Sequence, residues 1–171
     1  MDDAARHQWL VRFGERHGAG VRGKILQRLL ELAFARIGFR LVDERIAEGI
    51  DFDIEYRADP GERYSFEART TEGDSVAVKT EDLNQMKGRA GEGYSTGFAA
   101  IRVSPGCRWI LVKRSWLLPP DLRVSVGTSP GWEDLADRVN DSFDQLLETL
   151  GPVALRNGLK GLKMHVDNAM L

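Results

Sequence analysis

Asp51, Asp53 and Glu67 are the residues of this 171-residue chain whose type and spacing best suit chemistry. Ile50, Phe52, Ile54 and Tyr56 alternate with Asp51, Asp53 and Glu55, and a little further on Tyr64, Phe66 and Ala68 alternate with Ser65, Glu67 and Arg69. Period-two alternation predicts two half-buried strands, each with its charges on one face. Asp59-Pro60-Gly61-Glu62 between them is a turn signal that would pair the strands antiparallel. An Asp from one strand then lies beside a Glu from the next, an oxygen-rich pocket suited to Mg²⁺. Asp53 is expected to face the same way as Asp51, because the strand period is two.

Several elements must position these acids. A short helix is expected over 3–17, carrying Trp9, Leu10 and Phe13, with Gly18-Ala19-Gly20 interrupting it. From 22 to 37 the spacing of Leu26, Leu29, Leu30, Ala33 and Ile37 predicts an amphipathic helix packed on the sheet, and Gly38 is its expected end. A strand from Phe39 to Asp43 precedes the acidic hairpin, and Val76 to Val78 forms a short extended piece. Thr80 is the expected N-cap of a helix reaching about Ala90, with Glu81 and Asp82 favourable to its dipole. Strands over 97–103 and 108–113 flank Ser104-Pro105-Gly106. The last clear helix is expected to start at Ser129-Pro130 and to stop at Gly151-Pro152, with Leu135, Val139, Phe143 and Leu147 on its apolar stripe. Beyond it the chain is glycine-punctuated and basic, and its periodicity assigns no element. The order implies a mixed α/β sandwich, one central mixed sheet flanked by helices.

Composition narrows the function classes. The length suits one domain with a substantial core. A net charge of -2 and a pI near 6.0 give no global attraction to polyanions, so a nucleic-acid partner requires a local basic patch. A single cysteine, Cys107, excludes an internal disulfide framework and reads as a structural thiol in a reducing compartment. No apolar run approaches a membrane span, and no signal-peptide core opens the chain, so a cytoplasmic protein with no membrane partner is expected. His7, His17 and His165 lack metal-ligand spacing, which argues against zinc. Trp116 and Trp132 read as core or interface residues rather than base-stacking platforms.

Gly23-Lys-Ile-Leu-Gln, Ile37-Gly38-Phe39, Gly49-Ile-Asp51-Phe-Asp53-Ile and Phe66-Glu67-Ala-Arg69-Thr-Thr71, in this order of elements, resemble the PD-(D/E)xK nuclease superfamily. The similarity is to the branch of archaeal Holliday-junction resolvases and Mrr-like restriction endonucleases. It implies a restriction endonuclease-like sandwich over 22–118, with a helical extension at 1–21 and a C-terminal helix and tail at 119–171 packed on that core. It further implies a DNA endonuclease that uses Mg²⁺ or Mn²⁺. Asp51 and Glu67 would hold the ion, with Asp53 as second choice and the Ala68 carbonyl as a further ligand. Arg69 stands where the family has lysine; arginine stays protonated and is a poor proton acceptor, but it can clamp phosphate. Lys79 or Lys87 could take over the lysine's role. Gln27 stands where resolvase-like members have glutamate, with Glu31 one turn along, and Gln85 falls where several branches place a polar residue facing the site. Lys79, Lys87, Arg89, Arg102, Lys113 and Arg114 would rim the pocket toward DNA, and a homodimer would fit an enzyme that cuts two strands. The alternative is a catalytically degenerate domain of the same fold that binds nucleic acid or a protein partner.

Overall fold

The structure is a computed structural model in which residues 1–44, 51–104, 106–117, 121–123 and 132–170 are described. Gly49, Ile50, Pro105 and the Ser129-Pro130 helix start lie outside the described residues. The elements run α1 (Asp3–His17), α2 (Ala19–Arg36), β1 (Phe39–Glu44), β2 (Phe52–Tyr56), β3 (Asp59–Thr71), β4 (Ser75–Ala77), α3 (Thr80–Gly91), β5 (Ser95–Arg102), β6 (Trp109–Lys113), β7 (Asp121–Arg123), α4 (Glu133–Asn157) and α5 (Leu159–Ala169). No described helix is long and apolar enough to cross a membrane.

Five strands form the main sheet in the order β1-β2-β3-β5-β6. β2 and β3 pair antiparallel, β3 and β5 parallel, and β5 and β6 antiparallel, so the sheet is mixed. The parallel step needs a crossover, which β4 and α3 supply. Strand alternation splits the sheet into two faces. Phe52, Ile54, Phe66, Ala99, Ile101 and Leu111 join the large cluster beneath α1, α2, α4 and α5. Phe98, Ala100, Ile110 and Val112 point the other way, into a smaller cluster with Val76, Val78 and Met86 of the β4–α3 layer. The expected helix on one face is thus α2, with Ile25, Leu26, Leu29 and Leu30 wholly buried.

Two glycines have positions no other residue fits. Gly38 ends α2 at φ +106°, the left-handed turn that glycine favours. At Gly97 a Cβ would lie 2.0 Å from the Val112 carbonyl and 2.8 Å from the Trp132 ring, so its absence admits the indole over the sheet. Trp132 packs edge-on against Tyr64 and Phe66, each at 5.4 Å.

The structure corrects several local expectations. The hairpin reverses at Arg57-Ala58, and Asp59-Pro60-Gly61-Glu62 falls inside β3. There Asp59 accepts the Gly61 N–H at 2.9 Å, and the register jumps from Glu55↔Arg63 to Tyr56↔Asp59, so the turn signal makes a bulge. α3 is capped from Lys79, whose N–H donates to Asp82 Oδ2 at 3.2 Å, one residue before the expected Thr80. α4 does not stop at Gly151-Pro152. It continues to Asn157, because Gly151 lies against the Trp9 ring and Ala154 is wholly buried. Trp116 is 60% exposed, outside the core.

Candidate metal and phosphate site

Asp51 stands one residue before β2, where its N–H donates to the Phe66 carbonyl at 2.9 Å and extends the β2–β3 ladder. Its Oδ2 accepts the Ala68 N–H at 2.7 Å, which ties the first acid to the residue after Glu67. Burial raises the Asp51 carboxyl above the usual carboxylate range; the Ala68 N–H and the charges of Arg69 and Arg28 oppose that rise, and Asp82 adds to it. Glu67 is buried on the same β3 face as Ser65 and Arg69, away from the Phe66 core. Its carboxylate is ion-paired to Arg69 Nη1. The same Nη1 lies 3.4 Å from the Ala68 carbonyl oxygen, so two oxygens converge on one cationic nitrogen. Arg69 Nη2 is 3.7 Å from Asp82 Oδ1, and the guanidinium lies over Phe98, 5.9 Å from the ring centre.

Asp53 faces the α3 side, but it does not join an open three-carboxylate pocket. It is 0% exposed and ion-paired to Arg89, which also pairs with Glu92 and lies over Tyr94 at 4.3 Å. Among the described residues no group of three or more His, Cys, Asp or Glu is arranged to hold a metal ion. Asp53 is therefore a partner in the sheet–helix interface, and Arg89 leaves the expected phosphate rim for the same reason. Lys79 and Lys87 are exposed, whereas Gln85 is half-buried on α3, three residues beyond Asp82. Arg102 pairs with Asp74 at 2.5 Å, and Lys113 lies 5.6 Å from the Trp132 ring centre. Glu31 is 0% exposed and accepts from Gln27 at 2.9 Å and from Arg28 at 2.7 Å.

Two features lie outside what strand alternation and composition predict. Asp82, expected only to favour the helix dipole, is 3% exposed and turned toward Arg69. Its position at N3 of the helix after the Glu67 strand was the available signal. Cations also line two cavities on the α2 side. One, of about 250 Å³, lies between α2 and β3 and is lined by Lys24, Gln27, Arg69 and Thr70 among others. The other, of about 300 Å³, lies between α2 and α5 and is lined by Arg28, Lys160, Lys163 and Asp167 with apolar neighbours. Lys24 and Arg28 are one turn apart on α2, so the cavities share one edge of that helix.

The five-stranded mixed sheet with helices on both faces, as expected, is the restriction endonuclease-like fold. No protein-family profile matches the chain, and no curated protein matches it. Among solved structures it is similar to Hjc, a Holliday junction resolvase from the archaeal hyperthermophile Archaeoglobus fulgidus, with a TM-score of 0.53 and 13% identity. That similarity covers 68% of this chain and 96% of the resolvase. At that identity it concerns the fold.

Proposed function

We propose that the chain is a metal-dependent DNA endonuclease of the PD-(D/E)xK type, hydrolysing phosphodiester bonds, with arginine in place of the usual lysine. The carrying observation is the placement of Asp51, just before β2, beside Glu67 of β3 in a resolvase-like sheet, with Asp51 accepting the Ala68 N–H. The donor set suits a hard divalent cation. Glu67 and the Ala68 carbonyl already converge on a cationic nitrogen, and Asp51 is a second carboxylate at the same turn of the ladder. These three residues would hold Mg²⁺ or Mn²⁺. Such an ion supplies positive charge at the scissile phosphate and an activated water nucleophile.

The protein's own groups do the remaining work. Arg69 presents a planar fork suited to phosphate oxygens, carried on β3 with the Phe98 ring beneath it. Lys24 lines the same cavity as Arg69, and Lys160 lines the neighbouring one along α2, where Arg28 and Lys163 are paired with Glu31 and Asp167; Lys24 and Lys160 offer a chain of net charge -2 a local cationic flank for a polyanion. Lys79 and Lys87 are exposed and open to the same role. The Arg69–Glu67 ion pair favours one second reading, a degenerate domain that binds DNA without cutting it. Incubating the protein with branched, linear and single-stranded DNA, and with RNA, in Mg²⁺ or Mn²⁺ separates the two. Cleavage is expected in the natural chain and lost in Asp51→Ala and Glu67→Ala. Cleavage that survives Glu67→Ala would place the chemistry elsewhere, and cleavage seen only in Arg69→Lys would establish the degenerate reading.

A further inference from the structure

Asp82 is a buried carboxylate that the proposed reaction does not use. It sits at the start of α3, where Oδ2 accepts the Lys79 N–H at 3.2 Å and Oδ1 faces Arg69 Nη2 at 3.7 Å. Arg69 therefore lies between two carboxylates. One, Glu67, is paired with it directly; the other, Asp82, is within ion-pair range of the far arm of the same fork. The conflict is physical. Nη1 occupies the space between Glu67 and the Ala68 carbonyl, and those are the two oxygens a divalent ion would need. Two cations cannot share them, so the guanidinium must leave before an ion can enter. The Arg69 side chain is 32% exposed, so without a second anion a departing guanidinium would swing out to solvent rather than stay beside the site.

We propose that Asp82 is the second berth of Arg69: a positioning residue that receives the guanidinium when a divalent cation takes Glu67 and the Ala68 carbonyl. The inference rests on the metal-site reading above. The displacement needed is small, since Nη2 already points at Asp82 Oδ1 and the Phe98 ring underlies the path. It gives this chain a resident cation that keeps Glu67 neutralised until the ion arrives, with a second carboxylate in reach of the same guanidinium. Metal affinity is then set jointly by Arg69 and Asp82.

The test is a double-mutant cycle on Mn²⁺ binding, read by titration calorimetry on the full chain without nucleic acid. In the natural background Asp82→Asn should weaken binding by about tenfold, a coupling usual for side chains in contact. Arg69→Gln should bind more tightly than the natural chain, and on that background Asp82→Asn should change little. Asn keeps an oxygen for the Lys79 N–H; Asp82→Ser provides a second neutral variant, and metal-free melting of each shows that it is folded. Equal losses in both backgrounds would mean that Asp82 acts only through its charge, and no loss in either would mean that it has no part; both overturn the inference and leave the metal site standing. Binding in Arg69→Gln alone would show an arginine that never vacates Glu67, which also overturns it. Absence of binding in every variant would remove the metal-site reading and the inference together.

Discussion

Burial sets the chemistry of Asp51 before any ligand arrives. Its carboxyl is raised chiefly by desolvation, so between the ordinary carboxylate range and that raised value the folded chain holds a proton which the unfolded chain has released. Folding stability contributed by this group is therefore present at low pH and lost as pH rises through that window. Asp51→Asn keeps an acceptor for the Ala68 N–H and removes the titration. Its melting temperature relative to the natural chain should accordingly rise with pH from about 4 upward, a carboxylate's ordinary range. A difference that stays flat with pH would refute the desolvation argument. Cys107 behaves as the sequence suggested: burial pushes its thiol up to about 11, so it is inert at neutral pH. Asp51 and Glu67 were legible because strand alternation reports which face a residue occupies. The partners of Asp53 and Asp82 were not, since no local spacing tells how far a guanidinium from another element will reach.

α3 is the element on which the site's polar side depends. It delivers Asp82 to Arg69 and Arg89 to Asp53, and Met86 anchors it to the sheet. The Asp53–Arg89 pair is buried, and Asp53 Oδ1, Ser65 Oγ and Arg89 Nε have no hydrogen-bond partner among the described residues. Such a pair specifies a docking position more than it stabilises one. Arg89→Met should cost about 3–5 kcal/mol by stranding the carboxylate, whereas Arg89→Met with Asp53→Leu should recover most of that loss in denaturant unfolding. A double variant as unstable as the single one would show that the ions stabilise the fold outright. Tertiary packing overrides local signals at several element boundaries. Gly151-Pro152 reads as a helix stop, but Pro152 is exposed and Gly151 serves the Trp9 contact, so α4 runs through both. α5 did carry a pattern, with Leu162, Val166 and Ala169 buried at helical spacing, obscured by Gly158 and Gly161 around its start.

At the scale of the molecule, the two sides of the sheet are unequal. α1, α2, α4 and α5 bury thirty described hydrophobic residues on one side, and the β4–α3 layer buries eight on the other. The thick side also ties distant parts of the chain together. Arg6 of α1 donates to Asp144 of α4 through Nε at 2.6 Å and Nη2 at 2.7 Å, and Asn140 of α4 donates to the Trp109 carbonyl at 2.8 Å. Sequence periodicity reported the buried stripes of α2 and α4 but not which face of the sheet would receive them, because that depends on the crossover between β3 and β5. The asymmetry bears on how the protein breathes. Local opening costs less where little apolar surface must be exposed. Amide hydrogens of α3 are therefore expected to exchange with deuterium through openings that leave β3, β5 and α2 protected, and mass spectrometry of peptic fragments would resolve the two rates. Uniform protection across α3 and α2 would mean one cooperative unit instead. With the looser layer carrying Asp82 and Arg89, the acidic face can be dismantled and rebuilt while the rest of the chain stays folded.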